Sequence, residues 1–104
     1  MAYALRFTSS ARETLTALAN GGANDQAKLK KVRKALARLE QDPRYPGLHS
    51  HQYESFPVDK DVKVWDSYVE NRTPAAWRIF WRYGPEDPDS DLPVITVLAI
   101  RAHP

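Results

Sequence analysis

Apolar residues recur along this chain with two different periods, and the change from one to the other marks its elements. Residues 3–8, "YALRFT", set Tyr3, Leu5 and Phe7 against Ala4, Arg6 and Thr8, the alternation of a half-buried strand. The spacing then becomes helical. Ser9 or Ser10 can cap a helix running to about Ala19, with Glu13 three residues after Ser10 as the capping-box partner and Leu15, Leu18 and Ala19 as the apolar stripe. "NGG" at 20–22 ends it. A second helix is expected from Asn24 or Asp25 to about Gln41, because Leu29, Val32, Leu36 and Leu39 recur at intervals of three and four; Pro43 stops it.

Residues 42–59 hold three prolines and read as an extended loop with a short strand near 51–56. The segments 62–70 and 75–84, rich in aromatic and β-branched residues and separated by a turn-forming stretch, predict an antiparallel hairpin. Residues 94–100, "VITVLAI", are an almost unbroken apolar run, the signature of a central strand covered on both faces. Helices followed by a run of strands predict an α+β domain spanning 1–104: a mostly antiparallel four-stranded sheet, in the order β-α-α-β-β-β, with both helices on one face and the other face partly open.

Composition narrows the classes. At 104 residues with 42% apolar content, one domain with one core is expected. The absence of cysteine excludes disulfides and thiolate metal sites and fits a reducing compartment, and no apolar run approaches the roughly 20 residues that cross a bilayer, so a cytoplasmic protein is expected. The net charge of +2 conceals a polarity: residues 26–44 carry seven bases and two acids, whereas 85–93 carry four acids and no base. Such a division suits a polyanionic or acidic partner, and a solvated helix explains the basic half equally well. There is no phosphate-cradling glycine loop, nucleophile elbow or metalloprotease motif.

Strand parity selects the candidate chemistry. In "WRIFWRYG", Trp77, Ile79, Trp81 and Tyr83 can pave one face, leaving Arg78, Phe80 and Arg82 on the other. The same parity in the last strand groups Val97, Ala99, Arg101 and His103 against Thr96, Leu98 and Ile100. If Leu98 and Ile100 meet the helices, Arg101 and His103 join Arg78 and Arg82 on the open side, with Phe80 as a surface for base stacking. Guanidinium groups grip phosphate oxygens bidentately, and His103 can exchange a proton near neutral pH. Each residue taken singly is also an ordinary strand-face or chain-end polar group. His49 and His51, with His103, offer three imidazoles of the kind zinc accepts, but loop hydrogen bonding accounts for them as well and no metal is assigned. Glu54 and Glu70 are candidate general bases or simply solvated charges, and Trp65, Trp77 and Trp81 are core.

Together the early "YALRFT", "DPRYPGLHSHQY", the hairpin "WDSYVENRTPAAWRIFWRY" and the closing "ITVLAIRAHP" resemble the RelE/ParE superfamily of bacterial toxin–antitoxin toxins, nearest the YoeB-like ribonuclease branch. The resemblance implies a cofactor-free, metal-independent endoribonuclease that cleaves mRNA at the ribosome and is neutralised by a cognate antitoxin. It places the family's strand arginine on Arg78, its closing Arg-x-His on Arg101 and His103 with Pro104 where tyrosine would stand, and its carboxylate base nearest Glu54. Arg82, Phe80 and the helix cations Lys31 and Arg38 then become RNA contacts, the helix cations serving equally for an acidic antitoxin segment. A gyrase-binding toxin of the ParE type and a non-toxic binding module are the alternatives.

Overall fold

In the computed structural model, which describes residues 2–71 and 75–102, the chain runs β1 (Ala4–Phe7), α1 (Ser9–Ala19), α2 (Ala23–Gln41), a 3-10 turn (Pro46–Leu48), β2 (His51–Gln52), β3 (Trp65–Tyr68), β4 (Trp77–Tyr83) and β5 (Val94–Ala102). The sheet order is β1-β5-β4-β3-β2. The sheet therefore has five strands, not the four expected, because His51 and Gln52 add an edge pair opposite Asp66 and Trp65. It is also mixed: β1 lies parallel to β5, with Ala4 opposite Val94, while the other three pairings are antiparallel. Two helices between β1 and the rest of the sheet return the chain without reversing that strand's sense, which a hairpin cannot do. Among the described residues no helix is long and apolar enough to cross a membrane.

Thr8, rather than Ser9 or Ser10, caps α1: its side-chain oxygen accepts the Ala11 N–H at 3.2 Å. All three residues are good caps, and the ladder decides among them, because the Thr8 N–H is already committed to the Val97 carbonyl. Helix α2 starts at Ala23 from Gly22 rather than at Asn24 or Asp25. Its stripe of Leu29, Val32, Ala35, Leu36 and Leu39 packs with Ala11 and Leu18 of α1 on Ile79, Trp81, Ile95, Val97 and Ile100. Each Leu, Ile or Val so buried contributes about 1.5–3 kcal/mol by leaving water.

One parity prediction fails. Phe80 pairs with Ala99 and Trp81 with Val97, so Leu98 has no partner on β4 and forms a bulge. Val97 therefore joins the helix side with Ile100, while Ala99 turns to the opposite face beside Val64 and Phe80. That opposite face is also less open than expected, since Tyr53, Phe56 and Val62 of the 53–64 loop close over it.

Two polar systems tie the layers together. The Trp81 indole N–H donates to Ser67 Oγ at 2.8 Å, Ser67 and Ser50 share a hydroxyl bond of 2.7 Å, and Ser50 Oγ donates to the Pro43 carbonyl. Since Ser50 spends its one proton on Pro43, Ser67 must be the donor between the serines, and the chain runs in one direction from sheet centre to the end of α2. Glu70 provides the second link, accepting from Lys28 at 2.7 Å, Lys31 at 3.4 Å and the Trp77 N–H at 3.2 Å. It is neither a solvated charge nor a free general base, because α2 and the hairpin both hold it.

Burial pushes the Glu70 carboxyl upward, but Lys28, the Trp77 N–H and Lys31 together outweigh that and hold its pKa below the ordinary value. The unfolded chain therefore takes up the proton first, so the stabilisation is complete above the unfolded pKa and disappears as pH falls through the folded one. Glu70→Gln is expected to lower the unfolding free energy by about 1.5–3 kcal/mol at neutral pH. Urea titrations from pH 7 downward check this: the gap between wild type and variant should close as Glu70 protonates, and a gap independent of pH would contradict it.

Candidate nucleic-acid interface

The register of the sheet sets two rows of side chains on the face away from the helices. One runs His51, Asp66, Phe80, Ala99 and the other Tyr68, Arg78, Arg101, each a directly opposed set on neighbouring strands. Asp66 and Arg78 meet at 3.5 Å where the rows adjoin. The Asp66 side chain is fully buried, and its second oxygen faces His51 Nε2 at 3.5 Å. An imidazole on one side and a guanidinium on the other thus bracket one carboxylate.

Arg78 is held on two sides. Its guanidinium lies 3.8 Å over the Tyr68 ring, its Nη1 faces Asp66, and its side chain is 14% exposed. Its Nε–H has no acceptor among the described residues. Arg101, the opposed residue on β5, is exposed and sits over the rings of Phe56 and Phe80 at 5.2 and 5.3 Å. Two guanidiniums on adjacent strands repel each other, Asp66 offsets one of them, and an incoming anion would relieve the rest.

His51 is oriented from its own strand. Its Nδ1 lies 2.8 Å from the His49 carbonyl, which can only accept, so Nδ1 carries a proton and Nε2 is the nitrogen turned to Asp66. His49 adopts a left-handed backbone, φ 48°, which reverses the chain after the 3-10 turn. Both imidazoles contact Tyr68, at 4.8 Å for His49 and 6.2 Å for His51. They flank an aromatic ring, and among the described residues no three His, Cys, Asp or Glu side chains gather as metal ligands.

The remaining candidates separate. Phe80 is fully buried beneath Tyr53 and Phe56, at 5.1 and 5.5 Å, so it presents no face to a base. Arg82 lies four residues along β4 from Arg78, roughly 13 Å at the rise of a strand, and donates to the Tyr83 carbonyl. Glu54 is exposed on the loop after β2 and makes no ion pair among the described residues. His103 lies outside the described residues. Lys31 is paired with Glu70, and Arg38 covers the Tyr45 ring at 4.4 Å. Both line a groove of about 500 Å³ between α2 and the end of β3, which Tyr68 also lines. Parity brought out Arg78 and Arg101 but not Asp66 and His51. The available signal was a carboxylate inside the aromatic run "VWDSYV", where an acid needs a partner.

No protein-family profile matches the chain, and no curated protein is significantly similar to it. The site therefore rests on its own geometry.

Asp66→Asn leaves Arg78 without its counter-charge in a buried position, and breaking such a pair is expected to cost about 3–5 kcal/mol. Arg101→Ala removes only an exposed cation over two rings, at about 1 kcal/mol or less. Chemical denaturation of both variants checks the contrast, and equal effects would show that Asp66 is not the anchor of the cluster.

Proposed function

We propose that the chain is a toxin of the RelE/ParE type, a cytoplasmic endoribonuclease that cuts mRNA at the ribosome. The observation that carries this reading is the pairing of Arg78 with Arg101 across β4 and β5, beside the His51–Asp66 pair, on the face away from the helices. In the reaction proposed, a ribose 2′-oxygen attacks the neighbouring phosphorus while its proton passes to a base. The P–O5′ bond breaks, and the 5′-oxygen takes up a proton, leaving a 2′,3′-cyclic phosphate and a 5′-hydroxyl. Negative charge accumulates on the phosphorane oxygens, and two preset guanidiniums are suited to stabilise it. His51 is the described imidazole beside them, and His103, the closing histidine of the resemblance, would protonate the leaving 5′-oxygen. The chemistry asks for no cofactor.

The same reading assigns the groove beside α2 to the antitoxin. Lys31, Lys34 and Arg38 form a cationic wall over Ala35, Leu48 and Val69, which fits an acidic segment carrying apolar side chains. A gyrase-binding, ParE-type reading draws on one observation: Arg78 is already neutralised by Asp66 and mostly covered.

Induced expression followed by mapping of RNA ends tests the proposal. New ends within translated messages are expected, and with purified protein on ribosome-bound message Arg101→Ala is expected to slow cutting roughly 100-fold, as for loss of one charge-stabilising donor. Arg101 is exposed, so the variant reports on chemistry rather than folding. Intact messages with loss of DNA supercoiling would favour the gyrase reading, and unaffected growth would exclude both toxins.

A further inference from the structure

The reaction needs a base for the ribose 2′-hydroxyl, and the face that carries Arg78 and Arg101 holds an imidazole beside them. His51 and Arg78 face the two oxygens of a single carboxylate, Nε2 at 3.5 Å from Asp66 Oδ2 and Nη1 at 3.5 Å from Oδ1. No more than the width of that carboxylate and two such gaps separates them. Strand order puts Arg78, on β4, between His51 on β2 and Arg101 on β5. The His51 side chain is 48% exposed while that of Asp66 is fully buried, so a substrate can reach the ring but not the acid behind it.

The two ring nitrogens are unequal. Because Nδ1 holds its proton against the His49 carbonyl at 2.8 Å, the lone pair of the neutral ring is on Nε2. That lone pair faces a carboxylate, an unfavourable pairing that the 3.5 Å gap leaves unbridged. Uptake of a proton at Nε2 reverses the sign: the imidazolium gains the Asp66 charge as a partner and keeps the His49 carbonyl as its second. An interaction that is poor before proton transfer and good after it accelerates a step instead of merely tightening a complex. The other groups around the ring are Tyr68, edge-on at 6.2 Å, and the Arg78 guanidinium across the carboxylate, whose charge Asp66 offsets.

We infer that His51 is the general base of the reaction and that Asp66 is its positioning residue. The inference rests on the ribonuclease reading and deepens it by assigning the proton that the 2′-hydroxyl gives up. The 2′-oxygen forms its bond to phosphorus as its proton moves to His51 Nε2. The P–O5′ bond breaks, the closing histidine supplies a proton to the 5′-oxygen, and the His51 imidazolium later returns its own to water. Asp66 serves both halves of the site, since one of its oxygens faces the base and the other the Arg78 donor. Glu54, nearest the base in the resemblance, is exposed on its loop and makes no ion pair among the described residues.

Single-turnover cutting of a ribosome-bound message at a mapped site, by the purified full chain, tests the assignment. His51→Gln, at an exposed position, is expected to slow cutting about 100-fold or more at saturating protein, with the half-saturating concentration little changed. The wild-type rate is expected to rise from acid pH through the ordinary imidazole range. This acid limb should vanish in His51→Gln but persist in Arg101→Ala, which loses rate through charge alone. In Asp66→Asn the limb should move to lower pH; because that variant removes a buried charge and can unfold, His51→Gln decides the matter by itself. A message with sulfur in place of the bridging 5′-oxygen has a leaving group that needs no proton, so the His51→Gln deficit should remain on it. Restoration of His51→Gln by that sulfur would make His51 the acid and overturn the inference. A His51→Gln rate near that of wild type, or a loss confined to Glu54→Gln, would overturn it as well. In each of these cases the wild type still cuts and the ribonuclease reading stands, whereas a wild type that cuts nothing overturns both.

Discussion

Thr8 makes three bonds that together fix the relation between helix and sheet. Its N–H donates to the Val97 carbonyl, its hydroxyl donates to the Leu98 carbonyl at 2.7 Å, and the same oxygen accepts from the Ala11 N–H to start α1. Leu98 is the residue that no partner on β4 opposes, so Thr8 holds the bulge and caps the helix at once. The bulge is what allows both faces of β5 to work. Before it, Ile95 and Val97 face the helices; after it, Ile100 does, and Ala99 and Arg101 are turned the other way. An unbroken alternation from Val97 would carry Arg101 into the helix–sheet core, where an unpaired charge costs far more than the strand gains by regular pairing.

Much of this architecture can be read from periodicity. The helix stripes, the aromatic hairpin and the placing of Arg78 opposite the Trp77–Ile79–Trp81 face follow from intervals of three to four and of two. The phase of β5 does not, because "VITVLAI" is apolar at nearly every position and alternation without contrast has no phase to read. The loop over the far face was hidden for a related reason. Tyr53, Phe56, Val62 and Val64 are spread among prolines and charges without period, so their joint burial on Phe80 is a tertiary fact with no local signature. β2 is only two residues long and depends on β3 for its existence. The parallel seating of β1 on β5 depends on how the two helices fold back, which no single segment encodes.

The two acids carried by the hairpin's first strand and its turn divide the work of the fold. Glu70, just past β3, gathers Lys28 and Lys31 and so anchors the helix layer to the sheet. Lys28 also lies over the Trp77 ring at 4.9 Å, which keeps its long stem packed while its charge is used. Asp66, inside β3, looks to the opposite face and gathers Arg78 and His51. Lys28 and Lys31 on the helix side are thereby engaged in holding elements together. On the far side Asp66 holds Arg78 and His51, and of the two arginines there Arg101 remains exposed.

A guanidinium gripped in this way exchanges strength for readiness. Asp66 cancels much of the field that Arg78 would cast on an anion, which lowers its pull at a distance. In return, the Tyr68 ring and the carboxylate fix a side chain that would otherwise lose considerable rotamer freedom on binding, and its Nε–H is left with no acceptor among the described residues. Arg101 has the complementary character, being exposed and unopposed by any acid among the described residues. On the ribonuclease reading proposed above, a phosphate approaching the pair would meet an exposed charge that attracts it and a held one that orients it. Such a division favours a group whose charge grows during reaction over one whose charge is constant, because the rigid donor meets the developing oxyanion without further reorganisation.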